Sequence, residues 1–450
     1  MDSPFARPLC FAILMLGPWI GWPPAVAQSP LAFDIVNQRS EDVFVYFANG
    51  PVVGTLPDSL GGGAIQSNID NADSIGYRVA GNSTLTGFQV ESFSGRVFVS
   101  CGQTLVSGNG SQFNNTSLPD YHKRFDHFEI TYATNNPWSG ANLTATDFFG
   151  IPLQLNNGAT TVRWSQDNFA STLNGILPAI KDPTSDQNGF AIVTGQRGIP
   201  VPGIGNVVRL IAPSTAVAVP GFSPYGDIGQ YHTAMQNGLI GNRIHVESNR
   251  YGNDFNLLGS VTPDGKVLLT RHEGEGSIGS LVLDSKFFSG KEIYKANPDE
   301  ATIDGIFKTS FTSNESAAIR DIYAGFNLGV WGSTTPVGDS ELGLLSSQEF
   351  LDLGSTEYFF QAAQSNPLYY NEFAARVAEM SDNSVYGFPY SDVLGAQFIS
   401  LSPENSPVLT MTIAADAVPE PSGMLAGSLL AGPALLRRRR SGGRPHGCRR

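Results

Sequence analysis

The chain has 450 residues, with 27 Lys and Arg against 40 Asp and Glu and a formal net charge of −13. Two terminal segments described below, residues 1–27 and 423–450, contain eight Arg and one Asp, so the chain between them carries 19 − 39 = −20. This excess of acidic groups argues against nucleic acid and anionic membranes as partners, whereas a neutral polymer is compatible with it.

Cysteine and histidine usage indicates neither a disulfide nor a metal site. Of three cysteines, only Cys101 lies outside the terminal segments, so burial of a core has to stabilise the fold. None of the six histidines stands in a His-Glu-x-x-His or Cys-x-x-Cys pattern, so no metal and no cofactor is predicted.

Residues 1–27 have the pattern of a secretory signal peptide. Arg7 precedes an apolar run over 9–16, and small residues at 25–27 form a cleavage site. A membrane-spanning helix is the alternative, but the run is short and three prolines follow it. We therefore predict that the chain is exported and that the fold begins at residue 28.

Residues 28–165 are predicted to form a β domain. Short alternating segments are separated by clusters of Gly, Asn, Pro and Asp, a spacing typical of a sandwich or barrel. The alternating apolar positions are Phe33, Ile35, Val43, Val45, Phe47, Val97 and Val99. Arg96, in the last of these strands, is predicted to face a strand carboxylate rather than to act in catalysis.

The stretch 126–155 contains a pair of carboxylates on two predicted strands. Residues 126–132 alternate, which places Glu129 on the polar face together with His127 and Thr131. A second strand is predicted along the apolar run after Thr144, where Asp147 lies. If the strands are antiparallel, Glu129 and Asp147 come close, as hydrolysis of a glycosidic bond requires. Ordinary solvated strand residues would give the same pattern.

Helical periodicity begins after residue 166. Asp167 is a plausible cap for a helix over 169–180. The other predicted elements are a strand at 207–211, a helix at 230–239, a hairpin at 257–269, helices around 319–326 and 373–380, and strands at 385–393, 397–401 and 408–413. This order predicts a mixed α/β domain over 166–383, inserted into a β domain that resumes at 384–416.

Residues 417–450 resemble the C-terminal Pro-Glu-Pro sorting signal of exopolysaccharide-producing Gram-negative bacteria. The Pro-Glu-Pro at 419–421 precedes an apolar stretch at 423–436 and four arginines at 437–440. The resemblance implies transient anchoring in the inner membrane through 423–436 and cleavage by an exosortase-type protease. The stretch spans only ~21 Å as a helix, short for a bilayer core. A disordered tail is the alternative.

Both carboxylates stand in motifs that resemble those of glycoside hydrolase family 64, bacterial β-1,3-glucanases with a thaumatin-like fold. The family pattern Asp-x-(Val/Phe)-Glu-(Phe/Ile)-Thr-Tyr is matched at 126–132, and Asp-x-x-Gly-(Ile/Leu)-Pro-Leu is matched at 147–153. Further matches lie at 94–100 and at 386–393, where Ser391 replaces a family aspartate. The resemblance covers most of residues 32–413.

The resemblance implies roles for individual residues. Glu129 becomes the general acid and Asp147 the general base of an inverting mechanism. Contacts with the sugar fall on Thr131, Trp138, Thr144, Tyr390 and Asp392. The indole face of Trp138 suits a pyranose ring, although an anchor for its loop is the alternative role. Ala133 stands where the family has asparagine, so the composition of that subsite differs.

We therefore predict a secreted or cell-surface endo-β-1,3-glucanase that acts on laminarin- or curdlan-type glucan. The expected fold is mainly β plus α/β: a thaumatin-like barrel or sandwich with an inserted α/β domain, and a wide groove between them. A monomer without cofactor, metal or nucleic acid is expected, with the exosortase as a transient partner. The alternative is a non-catalytic glucan-binding or extracellular matrix protein, which the sorting signal suits at least as well.

Overall fold

A computed structural model describes residues 29–57, 65–66, 75–105, 117–165, 168–184, 191–216, 224–226, 228–250, 252–290, 292–295, 298–353, 358–360, 369–389, 398–403 and 407–416. The predicted signal peptide at 1–27 and the predicted sorting signal at 417–450 lie outside these residues. Within them, no helix is both long and apolar enough to cross a membrane.

The described residues are mostly β, with few helices. Strands of the first half are β1 (Leu31–Asn37), β2 (Val43–Ala48), β3 (Val53–Thr55), β4 (Ile65–Gln66), β5 (Ile75–Val79), β6 (Ser83–Cys101), β7 (Phe125–Ala133), β8 (Gly140–Thr144), β9 (Phe148–Phe149), β10 (Leu153–Asn156), β11 (Thr161–Arg163), β12 (Ile192–Val201) and β13 (Gly205–Ile211). The later strands are β14 (Ile244–Ser248), β15 (Phe255–Val261), β16 (Val267–Gly276), β17 (Ser280–Leu283), β18 (Ala301–Ile303), β19 (Ile306–Lys308), β20 (Pro336–Val337), β21 (Ser340–Glu341), β22 (Val385–Tyr386), β23 (Phe398–Ser400) and β24 (Val408–Ile413).

The helices are short apart from one. They are α1 (Phe169–Ile176), α2 (Gly229–Gln236), α3 (Ser313–Leu328), α4 (Ser347–Leu351) and α5 (Glu372–Ser381), with 3-10 turns at Leu177–Ala179, Ser285–Phe288, Glu292–Tyr294 and Leu342–Leu344. The α3 helix begins with a capping box in which Thr312 and Glu315 bond each other's backbone N–H, and it ends at Gly329 with φ 76°. Both are strong local signals, and the predicted helix around 319–326 is confirmed.

The first strands form a large, nearly closed, barrel-like sheet organised around β6. This strand pairs with β1, β2, β3 and β7, while β1 and β24 run parallel as neighbours. The β7 strand continues the sheet through β8, which is antiparallel to β7 and also pairs with β22 and β23. The chain therefore returns to the first sheet near its end, because residues after 384 supply β22, β23 and β24.

Two hydrophobic cores lie within the described residues. The first core lies against the large sheet and also includes Phe169, Val208 and Tyr225. Its residues therefore extend beyond the domain boundary predicted at residue 166. The second lies under the six-stranded sheet β14–β19 and α3. Helix α5 contributes Phe373 to the first core and Ala374 to the second. The predicted division into 28–165, 166–383 and 384–416 stays a prediction.

Most predicted elements are present, with three corrections. The strand predicted at 385–393 is shorter, because β22 covers only Val385–Tyr386, residues 387–389 are not in a strand, and 390–393 lie outside the described residues. Helix α1 is capped by Asn168, whose side chain accepts a hydrogen bond from the backbone N–H of Ser171, whereas Asp167 lies outside the described residues. The single strand predicted after Thr144 is wrong, because β8 ends there and the short β9 pairs with β13 in a different sheet. Local apolarity could not distinguish one long strand from two short ones that belong to separate sheets.

Candidate active site

Four strands place a row of side chains on one face of the large sheet. In the antiparallel ladders, Arg96 on β6 lies opposite Glu129 on β7, and Glu129 lies opposite Asn142 on β8. Asn142 in turn lies opposite Phe398 on β23. Directly opposed residues of neighbouring strands project from the same face, so these four side chains form one line across the sheet. We call this line the Arg96–Phe398 row.

Asp147 reaches the same place from a bend between two sheets. Its backbone C=O accepts a hydrogen bond of 2.9 Å from the N–H of Ala212, just after β13. The hydroxyl of Ser214 donates to the C=O of Thr146 over 2.6 Å, and Thr215 Oγ1 lies 3.3 Å from Asp147 Oδ1. The bend is therefore held by the segment after β13, which lies about 65 residues further along the chain than Asp147.

One guanidinium bridges the two predicted catalytic carboxylates. Arg96 Nε lies 3.3 Å from Glu129 Oε1, and Arg96 Nη1 lies 2.9 Å from Asp147 Oδ2. The rigid planar fork of arginine allows two carboxylates to be held at once, which the ammonium of lysine does less well. The predicted proximity of Glu129 and Asp147 is confirmed, although Asp147 lies in a bend and not on a strand. The predicted pairing of Arg96 with a strand carboxylate is confirmed at Glu129.

His127 lies behind Asp147 in the core rather than on a solvated face. Its ring stacks on Phe98 at 5.3 Å and packs against Phe148 at 5.1 Å. His127 Nε2 lies 3.7 Å from Asp147 Oδ2. Burial, together with the charge of Arg96, holds the pKa of His127 well below its usual range, so the imidazole is neutral near pH 7. The contact with Asp147 is therefore not an ion pair.

Asp126 fixes the turn that follows Asp147. Its Oδ2 accepts hydrogen bonds from the backbone N–H groups of Gly150, at 2.7 Å, and Ile151, at 2.8 Å. Burial raises the pKa of Asp126 to about 7, against the opposing effects of these donors and of Arg209. The Arg209 guanidinium lies 4.0 Å from the centre of the Phe125 ring. Sequence reasoning gave Asp126 no role. The available signal was the Gly-Ile-Pro turn at 150–152, because the backbone N–H groups of Gly150 and Ile151 need hydrogen-bond acceptors.

The residues predicted to contact the sugar differ in the solvent exposure of their side chains. Thr131 is exposed on the same face as Glu129, with its Oγ1 3.1 Å from Ser94 Oγ. Trp138 is 73% exposed, so it does not anchor its loop by burial. Thr144 is buried, and its Oγ1 lies 2.8 Å from Thr146 Oγ1.

Two other site predictions cannot be located on this face. Tyr390 and Asp392 lie outside the described residues. Among the residues that the structure describes, no group of three or more His, Cys, Asp or Glu side chains is arranged to hold a metal ion. The described face presents two carboxylates, one guanidinium and a buried imidazole.

Comparison with known proteins identifies the family. A family model described as β-1,3-glucanase, glycoside hydrolase family 64, matches residues 34–413. The chain belongs to this family. It is accordingly a glycoside hydrolase of the β-1,3-glucanase type, which favours the enzyme over the non-catalytic alternative. No curated protein matches the chain.

Two solved structures share the fold of this family 64 chain. One is a laminaripentaose-producing β-1,3-glucanase in complex with laminaritetraose, 18% identical, with a TM-score of 0.57, covering 86% of this chain and 99% of the other. The second is a β-1,3-glucanase domain from Clostridium beijerinckii, 14% identical, with a TM-score of 0.53, covering 87% and 100%. At these identities the comparison establishes the fold.

Proposed function

We propose that the chain is an exported endo-β-1,3-glucanase that hydrolyses its substrate with inversion at the anomeric carbon. The observation that carries the proposal is the pair Glu129 and Asp147 held on one guanidinium at the face of the sheet. Two carboxylates flanking a scissile bond are the usual apparatus of glycoside hydrolysis. A β-1,3-glucan is the substrate, which agrees with the family and with the neutral polymer expected from the charge.

Each carboxylate has a separate task in this mechanism. Glu129, whose side chain is 40% exposed, donates a proton to the glycosidic oxygen as the bond breaks. Asp147 lies closer to Arg96 than Glu129 does, at 2.9 Å against 3.3 Å, and acts as the general base. It takes a proton from the water that attacks the opposite side of the anomeric carbon. His127 is neutral and packs behind Asp147, so it does not form an ion pair with this carboxylate.

Replacing either carboxylate by its amide tests the assignment. General acid or base catalysis supplies about 10²–10⁴-fold, so Glu129→Gln and Asp147→Asn should each lower the release of reducing sugar from curdlan by that factor. The thermal midpoint of each variant shows whether the fold is retained. A folded variant that loses less than about tenfold would remove that residue from the mechanism.

The stereochemistry of the product tests inversion separately. Proton NMR of fresh product should show the α-anomer first, because an inverting pair leaves room for water between the carboxylates. Initial β-anomer would indicate a retaining mechanism with the same two residues. If the purified wild-type chain released no sugar from curdlan or laminarin, the assignment of β-1,3-glucan as the substrate would be contradicted.

Export and sorting form a second part of the proposal. The signal-peptide pattern at 1–27 and the sorting-signal pattern at 417–450 support it. The mature chain would begin near residue 28 and end near residue 421, after a pause in the inner membrane. Mass spectrometry of the exported protein gives both ends, and an intact C-terminus would contradict processing.

A further inference from the structure

Phe398 ends the Arg96–Phe398 row on the side away from Arg96. It lies opposite Asn142, which lies opposite Glu129, so two strand spacings separate Phe398 from the predicted general acid. Neighbouring strands are about 4.8 Å apart, and the backbone distance is therefore about 10 Å. Phe398 is thus beside the catalytic carboxylates on the same face, without lying on top of them.

The ring of Phe398 is exposed, and its position is set by a glycine. The residue is 45% exposed, which is high for a phenylalanine on a sheet. A Cβ atom built on Gly140 would lie 1.8 Å from Phe398 Cζ and 2.3 Å from Cε1. The ring tip therefore covers the space above Gly140, where any larger residue would displace it.

This position brings the ring next to two predicted sugar contacts. Gly140 lies opposite Thr131 on β7, so the ring extends along the sheet from the row of Glu129 toward the row of Thr131. Gly140 also follows Trp138 by two residues, at the end of the β7–β8 hairpin. Two exposed aromatic residues, Phe398 and Trp138, are therefore close to the same end of β8.

We propose that Phe398 is a stacking platform for a glucosyl unit of the β-1,3-glucan, in a subsite next to the cleavage point. This inference rests on the proposed function. The C–H groups on a pyranose face are apolar, and an exposed aromatic ring can bury them while the sugar hydroxyls stay in water. Phe398 carries no polar atom, so it contributes to binding of the chain and to product length, and Glu129 and Asp147 carry out the chemistry.

Three substitutions separate stacking from packing. Phe398→Tyr keeps the ring, Phe398→Leu keeps an apolar side chain above Gly140 without a flat face, and Phe398→Ala removes both. Phe307→Ala is the matched control, because Phe307 is also an exposed phenylalanine, 62% exposed, on β19 at the edge of the six-stranded sheet. Each variant is assayed on laminarin for kcat, KM and the length of the products, with its thermal midpoint.

We expect KM to rise about tenfold in the Ala and Leu variants, the fold-change that corresponds to about 1.4 kcal/mol of binding. The Tyr variant should stay within about twofold of wild type in KM, and kcat should change little in all three. Phe307→Ala should match wild type. Unchanged KM and products in a folded Phe398→Leu variant would overturn the proposal, as would an equal effect of Phe307→Ala.

Binding to an inactive chain keeps this test apart from the proposed function. In a Glu129→Gln background, calorimetric titration with laminarihexaose measures the contribution of Phe398 without hydrolysis. Weaker binding by about tenfold on Phe398→Leu supports the subsite even if the order of acid and base is different. Equal binding with and without the ring overturns the subsite and leaves the hydrolase assignment intact. A wild-type chain that releases no sugar from curdlan would instead contradict the proposed function.

Discussion

Replacing Asp416 by Asn should destabilise the fold strongly, because two arginines hold this carboxylate. Arg124 Nη1 and Nη2 donate to its two oxygens over 2.6 and 2.9 Å, and Arg39 also binds both oxygens. Asp416 follows β24, which runs parallel to β1, and Arg39 follows β1. The cluster therefore ties the last described residue to the start of the large sheet.

The size of the effect follows from burial. The side chains of Arg124 and Arg39 are only 1% and 6% exposed, and breaking one partner of a buried ion pair costs about 3–5 kcal/mol. Glu41 still accepts from Arg39 Nε at 3.1 Å, so the lower end, about 3 kcal/mol, applies. At about 2–4 °C per kcal/mol, the thermal midpoint should fall by about 6–12 °C.

The effect should also depend on pH with a defined sign. Burial alone would raise the pKa of Asp416, but the hydrogen bonds from Arg124 and Arg39 outweigh it and hold that pKa well below its usual range. A depressed pKa stabilises the fold above the unfolded value of 3.8 and loses this stabilisation as the pH falls below it. The gap between wild type and Asp416→Asn should therefore be constant above about pH 5 and narrow in acid.

Calorimetric melts between pH 3 and 8 measure the shift, with Asp352→Asn as the control. Asp352 also forms a two-point contact with an arginine, Arg250, but both side chains are exposed, at 39% and 48%. An exposed pair contributes at most about 1 kcal/mol, so this midpoint should change little. Equal shifts in the two variants, or a gap that widens in acid, would refute the reasoning from burial.

Two further predictions concern the groups around the proposed catalytic pair. Arg96→Met should lower kcat by about 10²-fold, because no side chain then holds Glu129 and Asp147 at a fixed separation. Arg96→Lys should recover only part of this loss. Kinetics on laminarin measure both variants, with melts as the control, and a Lys variant equal to wild type would contradict the prediction. Asp126→Asn should lower the free energy of unfolding, measured in urea, by about 1–3 kcal/mol. The carboxylate oxygen that accepts two backbone N–H groups from the turn after Asp147 is then either replaced by an NH₂ group or rotated away from them. An unchanged unfolding midpoint would exclude this role of Asp126.

Local sequence determined much of the secondary structure, and its motifs singled out the two carboxylates that are proposed to act. Alternation at Phe33 and Ile35 predicted β1, and the apolar stripe at 319–326 predicted α3, because both patterns depend on neighbours within one turn or one strand. The motif at 126–132 singled out Glu129, and the motif at 147–153 singled out Asp147. The periodicities need no knowledge of the sheet, whereas the choice of these two carboxylates rests on the resemblance of their motifs to the family.

Tertiary structure decided which of these groups meet. Arg96 lies between the carboxylates because the register of β6 against β7 sets it opposite Glu129, and a shift of one residue would turn it to the other face. Asp147 arrives from a bend held by residues after β13, and Phe398 joins the row from a strand more than 250 residues away. Strand register depends on the whole sheet, so no local pattern contains it.

Burial was the other property that the sequence left open. Alternation placed His127 on the polar face with Glu129, yet Phe98 and Phe148 cover the imidazole and hold its pKa low. Asp416 gave no signal at all, because its two arginines are 377 and 292 residues distant in the chain. Charge and exposure are set by what packs around a residue, and only the folded chain brings those neighbours together.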